Sequence, residues 1–287
     1  MRWLRDSRYA VLPLNDAVEA LRSGQLDRPT VAITFDDGFR NNVSVALPVL
    51  EEFGLPATIY LTTGLIGTRS TTWAGRITHA LRSTPRVRLE YAGQAFEFKT
   101  LGERTEVNRA LQILVKAQAP DRPQRAVTEI ERRLDVEVDP DVTDDVDFEM
   151  LQPVDLVLAG KTGLVEFGAH SASHPILSSL DDAQLASEVT GSVRTVAELT
   201  RGTCRSFAFP NGQPFDYDAR AIGLLRNTDV RTAVTTTQQE NRAGADPLRL
   251  SRWVLGGHVG LPRLKATLFG LHPARLHSWL RGVPQAW

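Results

Sequence analysis

VAITFDDGFRNN, residues 31–42, carries three apolar residues and Thr34 through Phe35 into two adjacent carboxylates, Asp36 and Asp37, and then Gly38. The apolar half reads as a buried β-strand. The acidic half reads as the loop at its C-terminal end. Like charges placed side by side repel and push one pKa upward, so the pair is costly unless a cation offsets it. A plain surface turn is the simplest reading of Asp36-Asp37-Gly38. The alternative is a metal ligand beside a catalytic base.

Short apolar runs of the same kind recur along the chain, near 9–12, 57–62, 164–169, 206–209, 232–236 and 249–255. They are brief and rich in β-branched or aromatic residues, as strands buried on both faces tend to be. Helical patterns lie between them at 15–23 behind a cap-like Asn15, at 43–53 ending on Gly54, at 181–200 behind Asp181 and Asp182, and at 216–226. Such alternation predicts an α/β fold with about seven parallel strands in a sheet or barrel. From Gly64 to Gly163 the rhythm stops. RVRLEYAGQAFEFK, residues 86–99, predicts a hairpin turning at Ala92-Gly93, and helical stretches follow near 103–118, 121–134 and 147–160. The acidic run at 135–147 reads as a solvated loop. We read residues 1–287 as a single domain, with 64–163 a mostly helical insertion and 262–287 a helical tail.

Composition narrows the function. Of 287 residues, 42% are hydrophobic and 23% charged, and the net charge of −1 leaves no basic footprint for nucleic acid. The single cysteine, Cys204, forms no intrachain disulfide and reads as core packing. Charge interrupts the first residues every few positions, so no signal peptide is expected, nor any transmembrane segment, and the expected location is cytoplasmic. That expectation holds only if Met1 is the native start.

A second polar stretch, FGAHSASHP at 167–175, places His170 and His174 four residues apart directly after a predicted strand. Two imidazoles at that spacing share one side of a turn, yet a pair alone lacks a third ligand. A carboxylate from 36–37 completes a three-ligand set with an open position, and leaves the second carboxylate free beside an ion that activates water. In parallel barrels catalytic residues gather at strand C-termini, where both stretches fall. Spacing alone does not say which aspartate plays which part.

At this point the chain resembles the polysaccharide deacetylases, carbohydrate esterase family 4, from about Tyr9 to about His258, on TFDDG and HSASHP taken in that order. The resemblance implies a deformed (β/α) barrel and a metal-dependent hydrolase that removes N-acetyl groups from amino sugars of a poly- or oligosaccharide. It implies Asp36 as general base and Asp37, His170 and His174 as ligands of a divalent metal, zinc first, with cobalt, nickel or iron compatible. FAFPNG, 207–212, is similar to a branch of the family reading F-A-Y-P-Y-G. The family's arginine position holds Phe207, and Asn211 stands where a tyrosine backbone N–H would bind the oxyanion, with Pro210 beside it. Arg252, on the last predicted strand, is a candidate replacement for the arginine that orients Asp36; an ordinary salt bridge is the other reading.

WVLGGH places His258 where the family keeps its general acid, a structural or surface histidine being the other reading, and Trp73 in STTWAG is either a sugar-stacking residue or a core tryptophan. FDYDAR, 215–220, reads as a helix start and not as the family's acidic-tryptophan motif. Relatives in the branch carry a further strand before the segment equivalent to 9–14. Its lack here implies a differently closed barrel or a start downstream of the native one. Two other functions compete: a different C–N hydrolase on the same scaffold, such as a sugar deformylase or imidase, and a non-catalytic carbohydrate-binding relative.

Overall fold

The computed structural model describes residues 1–256 and 259–269. After a one-turn helix, α1 (Arg2–Arg5), come β1 (Ala10–Val11), α2 (Leu14–Ser23), β2 (Thr30–Val31) and β3 (Ile33–Phe35). A π-helical turn, Asn42–Ala46, leads into α3 (Leu47–Phe53), which ends on left-handed Gly54, and β4 (Ala57–Leu61) follows. The long intervening segment holds α4 (Trp73–Ser83), the hairpin β5 (Arg88–Tyr91) and β6 (Gln94–Glu97), α5 (Leu101–Gln118), α6 (Pro123–Arg133) and α7 (Pro153–Gly160). The chain then runs through β7 (Val165–Ala169), α8 (Asp182–Ala186), α9 (Ser192–Thr200), β8 (Ser206–Ala208), α10 (Ala219–Arg226), β9 (Thr232–Val234) and α11 (Leu261–Leu268).

Five parallel strands pair in the order β3-β4-β7-β8-β9, and β1 pairs in parallel with β2. This is the deformed (β/α) barrel. The predicted strand at 31–35 breaks at Ala32, so that β2 serves one sheet and β3 the other. The predicted strand at 249–255 shrinks to one bridge, Val234 to Leu250.

Burial on both faces explains the continuous apolar runs. On β4, Ile59 and Leu61 join a core with Leu156, Val193, Val196 and Ile222 of the flanking helices. Tyr60, pointing the other way, packs with Leu14, Val18, Ala208, Val234 and Leu250. The intervening segment has a hydrophobic cluster of its own, in which Trp73, Ile77 and Leu81 meet Tyr91, Phe98, Leu111, Val115 and Ile130.

Local chemistry sets most boundaries. Asp181 caps α8 in a capping box with Gln184, and the Thr100–Glu103 pair does the same for α5. Ala92 and Gly93 both have positive φ, as a two-residue hairpin turn requires. Three expectations need correction. Asn15 is not a cap, because α2 starts at Leu14; its side chain instead accepts from Thr232 Oγ1 at 3.0 Å. The helix expected at 147–160 starts only at Pro153, where Gln152 and Asp155 form the cap; Met150 before it bridges to Phe39. The helix expected from 216 starts at Ala219, with Asp218 as its cap.

Candidate active site

β3, β4, β7, β8 and β9 run in one direction, so their C-terminal ends share one rim of the barrel. Asp36 and Asp37 follow β3, His170 follows β7, and Asn211 lies three residues beyond β8. Two local turns present the key groups. Gly38 N–H donates to Asp36 O at 3.0 Å around Asp37, whose φ is +71°. Gly212 N–H donates to Pro210 O at 2.6 Å around Asn211, φ +59°. These are γ-turns of positive φ, a rare and strained form, and such strain collects at functional sites. His174 and Ser171 also adopt left-handed conformations, at +62° and +61°.

The turns bring Asp37, His170 and His174 together. Asp37 Oδ1 lies 3.5 Å from Nε2 of both histidines, and the three donor atoms all fall within 4.8 Å of one another. Two ligands held about 2.0–2.2 Å from one tetrahedral ion lie roughly 3.3–3.6 Å apart, so the carboxylate–imidazole distances fit one. Asp37 Oδ1 is buried with no hydrogen-bond partner among the described residues, which fits an oxygen meant for a cation. Burial pushes the Asp37 carboxyl up to about 6 and the His174 imidazole down to about 4, and it also lowers His170. The protein therefore holds a desolvated acceptor set that lacks compensating charge. His170 Nδ1 donates to Ala208 O at 2.7 Å, which leaves the Nε2 lone pair facing Asp37.

Asp36 is tied down differently. Arg252 grips it with both arms of the guanidinium, Nη1 to Oδ1 at 2.6 Å and Nη2 to Oδ2 at 2.8 Å. Arg252 is itself fixed by Nε on Thr235 O at 3.0 Å and Nη1 on Thr34 Oγ1 at 3.1 Å. Its guanidinium lies 5.7 Å from the centre of the Tyr60 ring. Burial raises the Asp36 carboxyl, but Arg252 and the two histidines outweigh it and hold it at about 2. Phe207, at the position of the family's arginine, is instead fully buried, 5.3 Å from the Phe209 ring.

Tyr60 in turn depends on Gly168 across the β4–β7 ladder. A Cβ on Gly168 would sit 2.5 Å from both Tyr60 Cε1 and Ser206 Oγ. Gly168→Ala is expected to destabilise the fold by about 1–3 kcal/mol through overpacking, visible as a lowered thermal midpoint. A midpoint equal to that of the parent chain would show that the Tyr60 ring yields freely.

Asn211 lies at the rim with its backbone N–H donating to no described group, while its carbonyl accepts from Thr236 Oγ1 at 2.6 Å. Pro210 is buried. Trp73 is the core tryptophan of its two readings, not the sugar-stacking one. It is 2% exposed, its ring belongs to the second hydrophobic cluster, and its indole N–H donates to His174 O at 3.0 Å, so no face is free to stack on a sugar. His258 lies outside the described residues.

Sequence reasoning also missed Glu188. Its carboxylate accepts from Ala172 N at 2.8 Å, Ser173 N at 2.9 Å and Ser173 Oγ at 2.6 Å, pinning the histidine loop from the π-helical turn (Ser187–Gly191) between α8 and α9. Its only sequence signal is an acid in a helical stretch, which marks any solvated face equally well.

The sequence profile described as "Polysaccharide deacetylase" matches residues 23–121 and 147–233. The Bacillus subtilis (strain 168) protein named "Putative polysaccharide deacetylase YxkH" is 40% identical over 70 residues, which cover 23% of this chain and 24% of that relative. Solved structures resemble the whole fold more broadly. Streptococcus pyogenes deacetylase PplD, in complex with acetate, superposes with a TM-score of 0.59 at 17% identity, over 93% of this chain and 83% of that one. IcaB from Ammonifex degensii gives 0.57 at 16% identity, over 93% and 85%.

Proposed function

The chain belongs to the polysaccharide deacetylase family, and from that premise we propose that it removes N-acetyl groups from amino sugars of a poly- or oligosaccharide in a metal-dependent hydrolysis. Asp37, His170 and His174 would hold the divalent ion, zinc by ligand type, with cobalt, nickel or iron suited to the same set. When bound, that ion polarises the acetamide carbonyl and makes water acidic enough to attack near neutral pH.

The rest falls to the chain's own groups. Asp36, kept ionised and oriented by Arg252, takes the proton from the attacking water. The Asn211 N–H, which meets no acceptor among the described residues, donates to the carbonyl oxygen as it gains charge. His258 is the proposed acid that protonates the departing amine. One observation carries the reading above others: a second carboxylate, clamped by two charge-assisted hydrogen bonds, stands next to the acceptor set. A protein that only binds glycan has no use for it.

Acetate release from N-acetylated glucosamine oligomers tests the proposal. Release is expected to stop after treatment with a chelator and to return on adding Zn²⁺. Faster release of formate from N-formylated sugars would favour the deformylase reading, and faster opening of cyclic imides the imidase. Glycan binding with no hydrolysis at any metal loading would leave the protein a carbohydrate-binding relative.

A further inference from the structure

The two histidines of the site are held unequally. His170 has its ring fixed by a hydrogen bond from Nδ1 to Ala208 O. The Nδ1 of His174 is buried and meets no partner on any other described residue. Metal-binding histidines almost always have the second ring nitrogen engaged, because that bond sets the ring's orientation. His174 must be oriented by other means, and its backbone needs support as well, since it is a non-glycine residue at φ +62°.

That support comes from the segment between β4 and β7. Trp73, at the first position of α4, donates its indole N–H to His174 O at 3.0 Å, and its ring lies 6.4 Å from the imidazole at 53°. Gln124 of α6 donates Nε2 to Ser173 O at 2.8 Å. Pro120 O accepts from Ile176 N at 3.2 Å. Three peptide groups around His174 are thus satisfied by α4, α6 and the turn before α6.

We propose that Trp73 is a positioning residue for the metal site: its indole N–H, acting on the His174 carbonyl, sets the direction of the His174 imidazole and thereby the affinity for a divalent cation. Gln124 supports the same loop from the next peptide. This rests on the reading of Asp37, His170 and His174 as ligands. It makes the intervening segment part of the metal-binding apparatus, although none of the three ligands lies within it.

The test uses the full chain stripped of metal and titrated with Zn²⁺ against a chromophoric competitor, with Co²⁺ absorption as a second signal of ligand geometry. Trp73→Phe keeps an aromatic ring and loses the N–H; Gln124→Met removes the other donor from a more forgiving, partly exposed position. Leu111→Val, in the same hydrophobic cluster but with a side chain that can make no hydrogen bond to the loop, serves as the control for stability alone.

Trp73→Phe is expected to weaken Zn²⁺ binding by about 10–100-fold and to alter the Co²⁺ band, the range seen when outer-shell partners of ligands are lost. Gln124→Met is expected to weaken it severalfold, and decides the matter if Trp73→Phe does not fold. Leu111→Val should lower the melting temperature of the metal-free protein yet bind Zn²⁺ within about twofold of the parent. Trp73→Phe, or Gln124→Met in its place, binding at parental affinity would overturn the inference, as would an equal loss in Leu111→Val. A parent chain that takes up neither ion overturns the ligand reading itself, and this inference with it.

Discussion

Asp36→Asn is expected to cut deacetylation by about 10²–10⁴-fold, the usual contribution of a general base, while Zn²⁺ affinity stays close to that of the parent. The two readouts separate because the adjacent aspartates have separate duties in the structure. Asp37 faces both imidazoles, whereas Asp36 gives both of its oxygens to Arg252. Asparagine can still accept one guanidinium N–H but takes no proton from water. Arg252→Met should reproduce much of the loss by another route, since it frees the carboxylate to rotate and leaves it without its charge partner. Stopped assays of acetate release, run beside Zn²⁺ competition titrations, check both variants. Turnover within a few-fold of the parent in Asp36→Asn would remove Asp36 from the role of base.

Glu131→Gln carries the largest expected cost in stability, about 3 kcal/mol, the low end for breaking a buried ion pair by removing one partner. Glu131 is wholly buried and Arg76 almost so. Arg76 Nε donates to Oε1 at 2.8 Å and Nη2 to Oε2 at 2.6 Å, with a further bond from Nη2 to Thr128 Oγ1 at 3.0 Å. Asp139 N adds a bond to Oε2 at 3.2 Å. Glutamine keeps one acceptor and loses the charge, so Arg76 is left ionised in an apolar cluster with only the more distant Asp139 carboxylate, at 3.8 Å, to answer it. For a chain of this size, about 3 kcal/mol corresponds to a fall in melting temperature of roughly 6–12 °C. Replacing both partners, Arg76→Met with Glu131→Leu, should recover most of that, because the desolvation cost of the pair disappears with it. A single variant that melts with the parent would show that the Arg76–Glu131 pair contributes no net stability.

The strand–helix alternation and the stretches around Asp36 and His170 were legible because each is a local pattern: period, composition and turn residues within ten positions. The partners of those residues were not. Arg252 could be named only as one of two options, since an arginine on a late strand looks the same whether it pairs with Asp36 or with a surface acid. Trp73 could likewise be named only as one of two things, a sugar platform or a core residue. Its partner is a backbone carbonyl 101 residues away, and a carbonyl leaves no trace in a sequence. The helix expected over 147–152 failed for a related reason. Met150 and Leu151 are apolar because an extended segment buries them beside Phe39 and Gly38, while Phe148 sits in a turn and packs on His79 of α4; spacing alone cannot tell such burial from a helical face.

The grip of Arg252 on Asp36 spans 216 positions, and this sets an order on how the site can be completed during synthesis. Asp37, His170 and His174 are all present once β7 and the loop after it have left the ribosome. At that stage Asp36 lacks the guanidinium that grips both of its oxygens, and Arg252 arrives only after the chain has passed β9. The proposed ligand set is therefore complete at residue 174 of 287, and the proposed base is fixed only at residue 252. A fragment that includes His174 but stops short of residue 252 would carry the proposed ligands without the guanidinium that fixes the proposed proton acceptor, separating capture of an ion from use of it along the length of the polypeptide.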